Sequence, residues 1–334
     1  MNRSGVRSVA IVAIAFSLSS ASAKTQVVRN AGKYGSMLSW WYQTLPSQTI
    51  DPPTIEWDAR TPAWWNAIVA QAVYARLGWL AAACWGQDTD ADPAMLQPLL
   101  RAIDANGGSL KVALFDDTTS ESLRKNRAKG RPWDIFPAFD LADHDGTGEG
   151  GFHYFYDQQW KRFFATVPDR YRLKINGRPV VFMWHGGHAW YTNQNHFHTL
   201  IRDLRAATLR DFRVDPFVIP EEDWLDLDAD FRPDAIYDWF DPGDRNATLT
   251  TYGGITVGHL VPGYNCPTCN PLHPIVEREN GAVFRAGMDA VAAKSDLVLV
   301  EGFVNVDENA QLVETTTWGK LYLDLLRYYA TILP

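Results

Sequence analysis

Apolar residues in this chain fall into short, unbroken runs, and the stretches between those runs carry helical spacing. The alternation begins near residue 34 and continues to the C-terminus. Runs at 34–42, 80–85, 110–115, 180–183, 217–219, 235–237, 256–261 and 297–300 are too short for core helices. They lack the polar alternation of a half-solvated sheet, so they read as parallel strands buried on both faces. Thr61-Pro62 caps and opens a helix through 76, with proline in its first turn. Asp92-Pro93 opens another through 104, which Asn106-Gly107-Gly108 stops. Further helices are predicted over 160–167, 196–207, 282–293 and 317–329, and Asn176-Gly177-Arg178-Pro179 turns the chain into the strand at 180. About eight strands alternating with helices predict an α/β protein and, within that class, a (β/α)8 TIM barrel. An open doubly wound sheet is the rival topology. No G-x-G-x-x-G and no G-x-x-x-x-G-K-[ST] follows any strand, so a nucleotide-binding version has no support. The polar, Asp- and Gly-rich stretch 118–151 reads as a long loop over the C-terminal face.

The N-terminus changes the picture of where the chain works. Arg3 and Arg7 precede an apolar stretch from Val9 to Phe16, and Ala21-Ser22-Ala23 offers a small-residue cleavage site. Residues 1–23 are therefore expected to be a secretory signal peptide. Residues 24–334 are then expected to form one exported domain, periplasmic or secreted, that does not engage a membrane after cleavage. A net charge of -8 argues against nucleic acid as a partner. With 14 Trp and aromatics at 13% of the chain, more rings are present than a core requires. Trp40-Trp41, Trp184 and Trp239 sit beside polar residues, and flat apolar rings next to carboxylates suit sugar faces. Cys266 and Cys269 form a lone C-x-x-C, which in an exported protein suggests a local disulfide, and Cys84 reads as a buried thiol. Nothing calls for a cofactor.

Carboxylates end several of the strands: Asp116 and Asp117, Glu221 and Glu222, Asp238 and Asp241, Glu301 and Glu308. Glycoside cleavage generally uses two carboxyl groups, one to donate a proton and one to act as nucleophile or base. A barrel supplies them by converging strand ends on one cavity. Any one of this set taken alone reads first as a helix N-cap, but Glu caps poorly and Glu221-Glu222 exceeds what capping needs. His185, His188, His196 and His198 form a second constellation, of the residue type that holds catalytic zinc. Their spacing is not that of H-E-x-x-H. The run Asp223, Asp226, Asp228, Asp230 lacks the Gly and Glu positions of an EF-hand loop.

Pro262-Gly263-Tyr264 after a strand, then Arg278-Glu279-Asn280-Gly281, a helix, and a strand delivering acids at Val298 to Glu301 together resemble the C-terminal third of endo-α-mannosidase-type glycosidase barrels. Upstream, Ile175-Asn176-Gly177-Arg178-Pro179-Val180-Val181-Phe182 resembles that family's Lys-Pro strand. Lys111 to Asp117 and Phe139-Asp140-Leu141 resemble a related bacterial glycosyl-hydrolase-like family of unknown function. The resemblance covers most of the chain loosely and is most specific from Val257 to Glu314. It implies a glycan-active barrel. The endo-α-mannosidases close this strand with Asn-Glu-Trp-His-Glu-Gly, whose two Glu are catalytic. Counted from Phe303, the second falls on Glu308 and the first on Asn305, which is not a carboxylate.

These observations converge on an exported glycoside hydrolase acting on an oligosaccharide or polysaccharide. Glu308 and Glu301 are the expected acids, with Asp117 and Glu222 completing the site. Trp184, His185, Tyr264, Asp238, Asn305 and Trp40 are expected to line the sugar pocket, and no metal ligand is assigned. A non-catalytic carbohydrate-binding barrel is the first alternative, motivated by Asn305. A metal-dependent hydrolase such as a deacetylase is the second, motivated by the histidines.

Overall fold

A computed structural model describes residues 27–121, 139–144, 150–184, 191–240, 246–267 and 274–334. Its centre is a parallel-rich sheet. The strands are β1 (Tyr34–Leu38), β2 (Trp79–Cys84), β3 (Lys111–Asp116), β4 (Phe139–Asp140), β5 (Lys174–Ile175), β6 (Arg178–Met183), β7 (Tyr191–Thr192), β8 (Phe217–Pro220), β9 (Ala247–Tyr252), β10 (Ile255–Leu260) and β11 (Leu297–Val300). The hydrogen-bonded path runs β5-β6-β3-β2-β1-β11-β10-β9, with β8 also paired to β6. The pairs β1/β2, β2/β3, β3/β6, β6/β8, β1/β11 and β10/β11 are parallel, so their C-terminal ends emerge on one side.

Alternate residues along these strands belong to two different cores. Leu80, Ala82, Val112, Leu114, Val181, Val218, Val298 and Val300 pack outward in one cluster that includes the helices. Met37, Ala83, Phe115, Phe182, Ile219, Tyr237, Val257 and Leu299 pack inward in another. Burial on both faces is the reason the runs are unbroken. Gly35 shows how tight the inner core is: a Cβ there would lie 2.0 Å from the Trp79 ring.

The helices follow from their caps. Thr61 accepts a bond from the Trp64 amide and starts Pro62–Tyr74. The segment expected as one helix from Asp92 splits instead. Asp92 caps a short 3-10 turn at Pro93–Met95, and an α-helix begins at Gln97 with Pro98 in its first turn. The first strand stops at Leu38 rather than 42, and the last helix starts at Leu321 rather than 317. Residues 235–237 make one parallel bridge, Tyr237 to Glu221, and backbone bonds to Val218 and Pro220 rather than a full strand. An antiparallel partner of β10, β9, was not expected; Thr248 is buried, and the residues after it alternate between exposed and partly buried. Most of the stretch 118–151 lies outside the described residues. Its visible part includes β4, which pairs with β7. No described helix is long and apolar enough to cross a membrane.

Candidate active site

The strand period of two carries chemistry to one level. Two residues beyond the inner-facing Met37, Ala83, Phe115, Phe182, Ile219, Tyr237, Val257 and Leu299 stand Ser39, Trp85, Asp117, Trp184, Glu221, Trp239, His259 and Glu301. Backbone bonding continues past several of these strand ends. The amides of Asp117, Trp184, Glu221 and Glu301 donate to Cys84, Asp116, Met183 and Leu260 on neighbouring strands. Contacts run along the level. Trp85 Nε1 donates to Asp117 Oδ2 at 2.9 Å. The rings of Trp184 and Trp239 meet at 5.9 Å, and Trp239 stacks on His259 at 4.5 Å. His259 Nε2 stands 4.0 Å from Glu301 Oε2.

Above Glu301 the chain turns at Gly302, whose φ of 70° suits glycine, and brings two further polar residues back over the level. Asn305 Nδ2 donates to Glu301 Oε1 at 3.0 Å and to Glu308 Oε2 at 2.7 Å. One amide thus holds two carboxylates side by side. Tyr42 Oη approaches Asn305 Oδ1 at 3.4 Å, and Gln48 Nε2 donates to Asp307 at 2.8 Å. Trp41 lies against Trp85 with ring centroids 4.1 Å apart. Arg278 crosses directly over Gly263, where a Cβ would lie 2.4 Å from its side chain. It donates to the carbonyls of Asn309 and Gln311, pinning the loop that carries Glu308.

Burial dominates the electrostatics. It pushes the Glu301 carboxyl well above the ordinary range; the charges of Glu308 and Asp117 add to the shift, while the Asn305 bond opposes it. Glu308 rises to about 7, chiefly through burial and against the same Asn305 bond. Asp117 also rises to about 7 through burial. The buried His259 ring falls to about 3. Buried acids that hold protons near neutral pH are what acid catalysis requires. Asp116, raised to about 6 by burial, is of another kind. It faces outward and is fully bonded to the Thr118 amide, the Thr118 hydroxyl and Trp160 Nε1.

The expected site residues separate accordingly. Glu301, Asn305 and Glu308 meet directly, and the fields of Glu301 and Glu308 reach the Tyr264 hydroxyl. Asp117 joins them through its charge on Glu301. Trp184 stands on the same level, and Asp238 is buried next to Trp239. Trp40 requires correction. Its parity is outward, its Nε1 donates to Ala83 O at 2.8 Å, and it packs on Trp65, so Trp41, lying against Trp85, is the ring on the site's side. Glu222 is one residue out of phase. It is partly exposed at the start of the helix Asp223–Leu227, while the buried Glu221 shares the field at Tyr237 with Glu301 and Asp117. His185, His188 and Asp241 lie outside the described residues. Cys266 is disulfide-bonded and Cys84 is free and buried; Cys269 lies outside the described residues. His198, Asp228 and Asp230 come within 4.8 Å of one another, in the helix layer rather than on the inner level. Sequence reasoning missed His259 and Trp85, and it noted Glu221 and Trp41 while assigning their neighbours Glu222 and Trp40 to the site. Counting two past each inner apolar residue finds all four.

A family model described as "Domain of unknown function (DUF5010)" matches residues 14–333. Among curated proteins none matches. Two solved structures of the GH99 endo-alpha-mannosidase from Bacteroides thetaiotaomicron share the fold. The one in complex with BIS-TRIS-Propane has a TM-score of 0.60 and 13% identity, and the other has 0.61 and 12%. Each match covers 90% of this chain and 97% of that one. A structure titled "Glycoside hydrolase-like protein" has a TM-score of 0.56 at 14% identity, covering 90% of this chain and 94% of its own. At such identities the likeness establishes the α/β architecture and no more.

Proposed function

Since the chain belongs to the DUF5010 family, whose function is unknown, its activity must be argued from the site, and we propose that it is an exported glycoside hydrolase. In this reading a single domain follows a cleaved signal peptide. Its sheet closes into a (β/α)8 barrel with residues 235–239 between β8 and β10, and the inner level forms the floor of a glycan cleft. The shared inner-face phase of seven strands and the 235–237 segment supports closure, as does the bond from Thr248 Oγ1 to the Asp238 carbonyl, which ties the β9/β10 hairpin to the 235–239 segment.

The observation that carries the reading is the Asn305 amide bonded to both Glu301 and Glu308 beside an aromatic wall. Glu308 is only part-buried and holds a proton near neutral pH, so it suits the general acid. Glu301 suits the second carboxyl, and the charge of Glu308 raises it further, because two neighbouring carboxyls resist joint ionisation. Asp117 and Glu221 complete the acid set, and Trp41, Trp184 and Tyr264 supply faces for sugar rings. Glycans containing α-linked mannose are the first substrates to try, since the GH99 relatives are endo-alpha-mannosidases. Glu308→Gln and Glu301→Gln should each lower product formation on a responsive glycan by roughly 10²–10⁴-fold while circular dichroism stays native. Near-normal turnover in both would remove the assignment.

One observation favours a second reading. Asn305 stands where the endo-α-mannosidase pattern has a catalytic Glu, so a carbohydrate-binding barrel without turnover remains the alternative. Saturable glycan binding with no product across the panel selects it.

A further inference from the structure

His259 is completely buried, and neither ring nitrogen has a hydrogen-bond partner among the described residues. The nearest described group of opposite character is Glu301 Oε2, 4.0 Å from Nε2, and that oxygen is also buried and without a hydrogen bond among the described residues. Buried polar atoms are almost always paired, so three orphans, two of them facing each other, call for an explanation. The backbone is not the source of the mismatch. His259 and Leu299 are register partners on the parallel strands β10 and β11, and Glu301 is the next residue of the same face beyond Leu299. The two side chains therefore lean toward one another from adjacent strands, about an ångström beyond hydrogen-bond length. Glu301 Oε1 is held by Asn305, so rotation of the carboxylate is restrained and the His259 ring is the freer partner. That ring lies on the Trp239 face at 4.5 Å and 25°, an arrangement that offsets part of the penalty burial places on an imidazolium.

The geometry points to His259 as the proton partner of Glu301, a positioning residue that shares one proton with it across the β10–β11 face. In one form the proton sits on Glu301 Oε2 and the ring is neutral. In the other the O–H bond has broken, an N–H bond has formed at His259 Nε2, and Glu301 is a carboxylate opposite an imidazolium. No proton enters or leaves the water-excluded layer, so Glu301 can change between acid and carboxylate where release to solvent is obstructed. The other charged or titratable groups around this position are Glu308 from the β11 loop and Asp117 beyond β3, which act on Glu301, Glu221 and Asp223 beyond β8, which act with Glu301 on Tyr237, and the hydroxyls of Tyr237 and Tyr264. All are acidic or neutral, so none supplies the positive charge that His259 would. This inference rests on the glycosidase reading for its purpose, though not for its test.

The test is nitrogen-15 NMR of histidine-labelled full-length protein across pH 4–9, comparing wild type with Glu301→Gln. His259→Gln identifies the signal by its disappearance from the eight histidines. In wild type the His259 Nε2 resonance should report a shared proton, and Glu301→Gln should displace it while leaving the other histidines in place. Superimposable His259 resonances and titrations in the two proteins would overturn the proposal. If His259→Gln does not fold, His259→Asn and the one signal sensitive to Glu301→Gln make the same assignment; no Glu301-sensitive histidine signal at all is again the overturning result. On a turned-over glycan, His259→Gln should lower kcat at least tenfold at unchanged KM and shift the pH profile. A structural role alone would leave the profile where it was. The NMR arm needs no turnover, so an empty glycan screen removes the glycosidase reading without touching this one.

Discussion

Two pairs of histidine and carboxylate in this molecule look alike in sequence and differ in physics. His198 and Asp228 lie in the helix layer. Nδ1 meets Oδ2 at 2.8 Å, the same oxygen accepts the His198 amide at 2.7 Å, and Oδ1 accepts the Asp230 amide at 3.1 Å. Both carboxylate oxygens are committed to ending and starting backbone segments. His259 and Glu301 lie at the inner level, 4.0 Å apart, with three polar atoms uncommitted and the second carboxylate of Glu308 one amide away. The difference teaches how to sort acidic clusters. A carboxylate saturated by backbone donors stabilises a fold. One buried with spare valence and a like-charged neighbour is poised to exchange a proton, at some cost in stability.

The comparison breaks first on turnover. Glu308→Gln should remove most of it, whereas Asp228→Ala should leave kcat within about twofold and cost roughly 1.5–3 kcal/mol of stability, the range for a hydrogen bond to a charged group. Parallel initial rates and thermal unfolding on the two variants decide this. If Asp228→Ala abolishes turnover in a folded protein, the sorting rule is wrong.

Next in size is the shared amide. Asn305→Ala removes the amide whose two bonds lower the pKa of Glu301 and Glu308, so both should rise. Turnover should fall by about 10–100-fold, and the whole pH profile should move toward higher pH. An unmoved profile means that the amide does not tune the pair.

A smaller effect separates the inner level through pH. Asp117 is raised from 3.8 to about 7, so between those values the native state binds more protons than the unfolded chain. Stability from this group is fully present below pH 3.8 and is lost as pH rises through about 7. Asp117→Asn should therefore gain stability relative to wild type as pH goes from 5 to 8. The change amounts to a few kcal/mol at most, at about 1.4 kcal/mol per unit. A difference that is flat with pH contradicts the burial argument. Asp228→Ala measured alongside it tests whether this trend is confined to the inner level.

Much of the architecture was legible because burial on both faces leaves an unmistakable mark. The runs at 80–85, 110–115 and 180–183 all became β2, β3 and β6 within about two residues. The β9 strand was not legible, since Thr248, Thr250 and Thr251 on a partly exposed segment look like a loop. Errors at the site were errors of one residue. Trp40 was chosen over Trp41 and Glu222 was named with Asp117, because adjacent identical types carry no phase until the inner face of the strand is known. His259 was hidden for a different reason: it sits inside an apolar run, where a polar residue reads as an interruption rather than as the top of a layer. The bond from Asn305 to both acids was out of reach, because Gly302 folds the chain back in three dimensions and spacing alone cannot say which carboxylates an amide will meet.

The account stands on Glu301 and Glu308 being neighbours that share one donor. Carbon-13 NMR titration of glutamate-labelled protein reads this directly, with each carboxyl assigned by its Gln variant. The account predicts two carboxyl signals titrating well above about 4.3, the ordinary value, each displaced when the other residue is replaced. Two independent titrations near that ordinary value, each indifferent to loss of the other, would contradict it.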